Sequence, residues 1–82
     1  METRIGQVTH YFNHINVAVL ELSGELKVGD TIHFKGHSAD FTQQVDSMEI
    51  EHQKVQTAGP TKEVAMKVGQ ALHKGADVFK VT

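Results

Sequence analysis

The sequence predicts an all-β domain, either a barrel or a sandwich, and three observations support this class. Apolar residues occur only in short runs, of which the longest is residues 17–20. Within several runs apolar and polar residues alternate, as they do in strands with one buried face. Glycine-containing turns separate the runs, which is typical of all-β folds. The chain has 82 residues, which suits one domain, and we expect residues 1–82 to form it.

The first strand is predicted over residues 4–12. Its alternation places Val8, His10 and Phe12 on one face. We expect most aromatic side chains of the chain to lie in the core. A turn at residues 13–14 follows, because asparagine tolerates left-handed backbone angles.

The second strand, residues 15–22, carries apolar side chains on both faces. We therefore expect it to be covered on both sides or to lie where a barrel closes. Glycine turns at residues 23–24 and 29–30 enclose a short apolar segment that contains Leu26. The next strand is predicted over residues 31–35, where inward and outward residues alternate without interruption.

Residues 36–40 form a predicted loop, and residues 41–52 form a long run whose apolar phase changes. The apolar positions are spaced by three and then by two, at Val45, Met48 and Ile50. A single extra residue in a strand produces this change, so we expect a β-bulge near residues 46–47.

The C-terminal third of the chain leaves one alternative open. A loop is predicted at residues 56–62 and a last strand at residues 77–81. Residues 63–68 alternate like a strand, but residues 61–74 also repeat apolar side chains every four positions, as a helix does. The helix would enclose Gly69, at a cost of about 1 kcal/mol relative to alanine.

Composition excludes several classes of protein. The absence of cysteine excludes disulfides, thiolate metal sites and cysteine nucleophiles. No segment approaches the roughly 18 apolar residues of a membrane helix, and no signal-peptide core is present, so we expect a cytoplasmic protein without membrane contact. The net charge of −2 is not that of a strong nucleic-acid binder, although six histidines would bring it to +4 if all were protonated (−10 + 8 + 6).

Residues 23–32, Ser-Gly-Glu-Leu-Lys-Val-Gly-Asp-Thr-Ile, resemble a segment in the second domain of translational GTPases such as elongation factor Tu. Residues 5–9, 45–50, 63–68 and 74–81 resemble further strands of that domain, in the same order. The resemblance covers nearly the whole chain. The chain also resembles small stand-alone barrels of the elongation-factor-like type. The resemblance implies a single six- to seven-stranded antiparallel β-barrel of the translation-protein type, with a strand at residues 63–68.

In this family the second domain contacts ribosomal RNA and tRNA. The resemblance therefore implies a non-enzymatic binding module that docks on RNA or a ribosomal component. The sequence lacks a phosphate loop, so we expect no GTP binding and no preceding GTP-binding domain. Cationic side chains expected to face outward form the candidate RNA-binding set: Arg4, His33, Lys35, His37 and Lys67.

Two other functions compete with RNA binding. A protein-interaction or subunit module unrelated to translation is the main alternative. A metal site is a weaker one, because His10 and His14, like His33 and His37, are four residues apart. That spacing brings two rings together on a helix but carries little meaning on strands, and zinc sites normally include cysteines or carboxylates. We therefore expect no metal, no cofactor and no catalytic residue.

Overall fold

The protein is described by a computed structural model that covers residues 1–60 and 63–82. Ten strands are present in these residues: β1 (Glu2–Phe12), β2 (Val17–Leu22), β3 (Leu26–Lys27), β4 (Thr31–Lys35), β5 (Asp40–Gln44), β6 (Met48–Ile50), β7 (Gln53–Val55), β8 (Thr57–Ala58), β9 (Glu63–Lys67) and β10 (Asp77–Val81). Thr61 and Lys62, which end the predicted loop and begin the alternative helix, lie outside the described residues.

All strand pairs are antiparallel, which confirms the predicted all-β class. Eight strands form one sheet in the order β5-β4-β10-β1-β2-β9-β6-β7, and β3 pairs with β8. The C-terminal strand β10 therefore lies between β1 and β4. The sheet is not closed into a barrel, because its edge strands β5 and β7 do not pair with each other within the described residues. The described strands also outnumber the expected six to seven.

A side chain bridges β5 to the end of β9. The amide of Gln43 donates from Nε2 to the carbonyl oxygen of Lys67 at 3.0 Å and accepts at Oε1 from the backbone N–H of Gly69 at 2.9 Å. A carboxamide presents one donor and one acceptor side by side, as a peptide unit does. Gln43 thus supplies in part the contact that main-chain pairing would make in a closed barrel.

The core lies on the inner face of the curved sheet and follows the alternation of the strands. In β4, Ile32 and Phe34 are fully buried, while their neighbours point outward. Phe34 packs on Phe41 with a ring-centroid distance of 5.1 Å. The remaining buried apolar residues come from both halves of the chain and include Val8, Leu20, Leu26, Val45, Met48, Val64, Met66 and Val78.

A bulge changes the predicted faces of β1. Val8 pairs with Leu20 but His10 pairs with Val19, so Thr9 is the extra residue. Tyr11 consequently packs against the core. His10 is exposed and Phe12 is 50% exposed, so these two do not share the buried face of Val8.

The second strand is covered less completely than predicted. Ala18, Leu20 and Leu22 are buried, while Val17 and Val19 on the opposite face are half-buried. Ile15 precedes the strand in a turn that ends at Asn16, which has a φ of 55°.

Residues 41–52 are two strands rather than one bulged strand. β5 ends at Gln44, and the chain then crosses to β6, which pairs with β7 and β9 at the other side of the sheet. Val45 anchors the crossing: its N–H donates to Asp30 O at 2.9 Å, and its carbonyl accepts from Gly29 N at 2.8 Å. The change in apolar phase marks a break between strands.

Residues 63–68, for which the sequence pattern allowed either a strand or part of a helix, contain a strand. β9 spans Glu63–Lys67 and pairs with β2 through residues such as Val64 and Met66. The segment between Val68 and Ala76 has no regular structure. The described residues contain no helix that is long and apolar enough to cross a membrane.

Candidate functional site

Three residues of the predicted binding set share one outer face of the sheet, and a fourth lies beside it. Arg4 on β1 and His33 on β4 both pair in register with Phe79 of β10, so their side chains project from the same side. Lys35 follows two residues later on β4, and His37 lies in the loop after it. The fold therefore brings Arg4 close to the segment 33–37, from which it is distant in sequence.

Every cation on this outer face has a carboxylate neighbour. Arg4 Nε donates to Asp77 Oδ1 at 2.9 Å. Lys35 is directly opposite Asp77 on one side and Asp40 on the other. The face is consequently a network of opposite charges, which differs from the basic surface expected for contact with a phosphate backbone.

His33 is held between two carboxylates of this face. Its Nδ1 lies 2.8 Å from Glu2 Oε2, and its Nε2 is hydrogen-bonded to Asp40. Both ring nitrogens can donate together only when the imidazole is protonated. The hydrogen bonds to Asp40 and to Glu2 raise the pKa of His33, and the bond to His33 lowers the pKa of Asp40.

Lys67, the fifth predicted residue, lies in a different place. It ends β9 opposite Val17 and lines a shallow groove with Asp46 and Gly69. It therefore does not belong to the surface formed by the other four.

A cleft of about 470 Å³ opens where the loop after β4 meets the turn before β10. Its lining residues are Lys35, Gly36, His37, His73, Lys74, Gly75 and Asp77. The rings of His37 and His73 are tilted against each other with centroids 6.3 Å apart. Lys35 and His37 were predicted as binding residues. His73 and Lys74 were not, because only the fold brings them close and no sequence spacing indicates it.

His73 forms one wall of this cleft and is packed against a glycine. Its Nδ1 donates to the carbonyl oxygen of Lys74 at 3.0 Å. A β-carbon at position 36 would lie 2.3 Å from His73 Nε2, so the ring occupies space that only Gly36 leaves open. His73 Nε2 is buried and is the only such side-chain nitrogen or oxygen in residues 1–60 and 63–82 that lacks a hydrogen-bond partner.

One of the two histidine pairs considered as metal ligands, His33 and His37, faces different partners. His33 faces Glu2 and Asp40, whereas His37 faces His73. In the described part of the chain no group of three or more histidine, cysteine or acidic side chains is arranged to hold a metal ion.

The tip of the β1–β2 hairpin exposes large apolar side chains. Phe12 is 50% and Ile15 is 58% exposed, and His10 stacks on Phe12 with ring centroids 6.3 Å apart. We call Phe12 and Ile15 the hairpin tip. The bulge at Thr9 turns Phe12 outward, and no pattern in the sequence identifies the bulged position.

Comparison with solved structures shows the fold of a known kind of domain. The chain superimposes on the C-terminal domain of a protein described as a U32 peptidase of Geobacillus thermoleovorans, with a TM-score of 0.91 at 23% identity, covering 96% of this chain and 92% of that one. The selenomethionine variant of that domain gives a TM-score of 0.88 at 23% identity, covering 93% of this chain and 96% of that one.

Comparison with curated sequences finds an uncharacterized protease of Methanocaldococcus jannaschii, 33% identical over 76 residues and 92% of this chain. The chain spans only 19% of the length of that relative. No family model matches the chain.

These similarities correct the assignment to translation factors. The sequence and structural relatives are a protease and a peptidase domain, not the second domain of elongation factor Tu or of other translational GTPases. The prediction of a stand-alone elongation-factor-like module that docks on RNA is therefore wrong. The role assigned to Arg4, His33, Lys35, His37 and Lys67 rested on that resemblance. The alternative, a module unrelated to translation, fits the relatives better.

Proposed function

We propose that this chain is a non-catalytic protein-binding module whose partner is the catalytic part of a U32-type peptidase. The observation that carries the proposal is the hairpin tip, where Phe12 and Ile15 are both at least half exposed. Exposed apolar side chains that lie together are typical of surfaces that another protein covers.

The relatives support the choice of partner. In the Methanocaldococcus jannaschii protease, the similar segment accounts for 19% of the polypeptide, so about four-fifths of that protein lies outside it. The structural relatives carry the same fold as a C-terminal domain of a peptidase. A module of this kind works beside a larger catalytic part, and the hairpin tip is the surface we assign to that contact.

We assign no reaction to the chain itself. A histidine that activates a nucleophile hydrogen-bonds a hydroxyl or thiol. His33 hydrogen-bonds carboxylates, and His73 hydrogen-bonds a backbone carbonyl. A cytoplasmic location remains the prediction made from the sequence.

The proposal is tested by calorimetric titration of this chain into a U32 peptidase from which the C-terminal domain has been removed. We expect a dissociation constant of roughly micromolar strength, as in other small interfaces. Replacing both residues of the hairpin tip, Phe12→Ser with Ile15→Ser, should weaken binding at least about tenfold. Gln53→Ser, on the exposed strand β7, is the control and should leave binding unchanged.

The intact peptidase provides a second control. Its own C-terminal domain should occupy the docking surface, so this chain should bind it more weakly than the truncated form. Absence of binding to the truncated peptidase, or binding that survives the double substitution, would contradict the proposal.

A further inference from the structure

We propose that the cleft between the loop after β4 and the turn before β10 binds a carboxylate group of an acidic peptide. The inference rests on the proposed function in one respect only, because it takes a peptide as the natural ligand of a peptidase-associated module. It assigns a second binding surface, which shares no residue with the hairpin tip.

The charges of the cleft favour a single negative group. Lys35 and Lys74 line it, and neither ammonium forms an ion pair with a carboxylate in the part of the chain that is described. Asp77, the acidic residue of the lining, is compensated by Arg4, whose Nε donates to it at 2.9 Å. Lys35 is opposite Asp40 and Asp77 in strand register, but its ammonium forms an ion pair with neither in the described residues. The lining therefore carries two ammonium groups and one carboxylate that Arg4 engages, which is an excess of positive charge.

The wall formed by His73 lacks a hydrogen bond that a peptide can supply. Because Nδ1 donates its proton to Lys74 O, the neutral ring presents a lone pair at Nε2, which is buried without a partner. A buried acceptor without a donor is unfavourable. His73 and Gly36, against which Nε2 lies, both line the cleft, so this acceptor lies at the cleft wall. A peptide then offers a backbone N–H for Nε2 and a carboxylate for the lysines.

The groups around the cleft argue against phosphate as the preferred ligand. Besides lysine, which acts as a point charge, phosphate sites use bidentate arginine and the N–H groups at helix N-termini. The guanidinium nearest the cleft is that of Arg4, which is engaged by Asp77, and the described residues form no helix. Two lysine ammonium groups without a guanidinium or a helix N-terminus suit the smaller charge of a carboxylate.

The test is a titration of the isotope-labelled protein, followed by amide chemical shifts. The probes are a capped tetrapeptide, acetyl-Gly-Glu-Glu-Gly-amide, its Gln-Gln counterpart and inorganic phosphate. We expect the glutamate peptide to shift the amide signals of Gly36, His37, Lys74 and Gly75, and the glutamine peptide to leave them in place. Lys35→Gln with Lys74→Gln should weaken binding about three- to tenfold, as expected for two exposed charge contacts.

A charge-matched control separates the cleft from general attraction. Lys27→Gln with Lys54→Gln removes the same charge from β3 and β7 and should leave the affinity unchanged. The proposal is overturned if the glutamine peptide binds equally well, if phosphate binds more tightly than the glutamate peptide, or if the two double variants behave alike. It is also overturned if no probe shifts the cleft signals.

The cleft and the proposed function can fail separately. The hairpin-tip variant, Phe12→Ser with Ile15→Ser, should bind the glutamate peptide as the unmodified protein does. If the unmodified protein binds the glutamate peptide but not the truncated peptidase, the hairpin surface alone is contradicted. If it binds the truncated peptidase but not the glutamate peptide, the cleft alone is contradicted.

Discussion

The Nδ1 atom of His33 lies 2.8 Å from Oε2 of Glu2, although 31 residues separate the two in sequence. The contact spans β10, which runs between the strands that carry these residues. On its other side the same imidazole hydrogen-bonds Asp40 at the start of β5. One imidazole ring therefore connects three strands at the edge of the sheet.

This arrangement predicts that the contribution of His33 to stability depends on pH. The pKa of His33 is raised above its ordinary 6.5, so the contribution is complete below pH 6.5 and is lost as the pH rises through the folded-state value. The pKa of Asp40 is lowered below its ordinary 3.8, so its contribution is present above that value and is lost as the pH falls through the folded-state value. The cluster should stabilise the fold most between pH 3.8 and 6.5.

The measurement is urea unfolding of the unmodified protein and of His33→Gln from pH 4 to pH 9. The difference in the free energy of unfolding should be largest near pH 5 to 6 and should shrink toward pH 9. Asp40→Asn should reduce the same pH dependence, and the double variant should differ little from His33→Gln, because that substitution already removes the contacts to both Asp40 and Glu2. A difference that stays constant across this range would rule out the proposed charge state.

A second prediction concerns the bridge made by Gln43. Gln43→Ala removes two hydrogen bonds that join β5 to the segment after β9, so it should lower the free energy of unfolding by about 1–2 kcal/mol. Gln44→Ala on the same strand is the control, since its side chain is exposed, and should change stability by less than about 0.5 kcal/mol. Hydrogen exchange of the Gly69 amide should accelerate in Gln43→Ala alone. Equal effects of the two substitutions would show that the bridge contributes nothing.

The sequence predicted best those strands whose alternation is uninterrupted. β4 and β10 begin and end at the predicted residues, because burial of alternate side chains such as Ile32 and Phe34 determines their register locally. The prediction for residues 41–52 was wrong because a bulge within one strand and a break between two strands produce the same change of apolar phase. Only the pairing of β6 with β9, far away in sequence, distinguishes them.

The resemblance to translation factors arose from residues that form a tight turn. In the best-matching segment, Gly29 has a φ of 97° and the carboxylate of Asp30 accepts the N–H of Lys27 at 2.9 Å. A glycine followed by an aspartate satisfies this tight turn in any small β-domain, whatever the domain binds. The cleft was predicted only in part, since His73 and Lys74 join Lys35 and His37 through tertiary structure.

A third prediction concerns the close approach of β1 and β2 at Gly6. A β-carbon at this position would lie 2.5 Å from the backbone carbonyl oxygen of Glu21, which a strand in the middle of the sheet cannot move freely. Gly6→Ala should therefore destabilise the protein by about 1–3 kcal/mol. Gly59→Ala is the matched control, because nothing lies within 4 Å of its added carbon and its φ is outside the left-handed region. Thermal unfolding of both variants measures the difference, and equal melting temperatures would contradict the predicted clash.

The last prediction concerns the turn between β6 and β7. Ile50 pairs with Gln53, so Glu51 and His52 form a two-residue loop, and both have positive φ, at 51° and 66°. This is the geometry of a type I′ turn, which favours Asn-Gly, whereas residues with larger side chains are strained in it. Replacing the pair, Glu51→Asn with His52→Gly, should raise the free energy of unfolding by about 1–2 kcal/mol.

The neighbours of this turn make a control necessary. Glu51 lines a groove with Glu49 and Glu63, so removing its charge alone could relieve repulsion between carboxylates. Glu51→Ala with His52→Ala removes the same side chains but keeps both β-carbons, and so it retains the backbone strain. Urea unfolding should show a clear gain for the Asn-Gly variant and little or none for the Ala-Ala variant. If the two gains are equal, charge relief rather than backbone geometry is the cause.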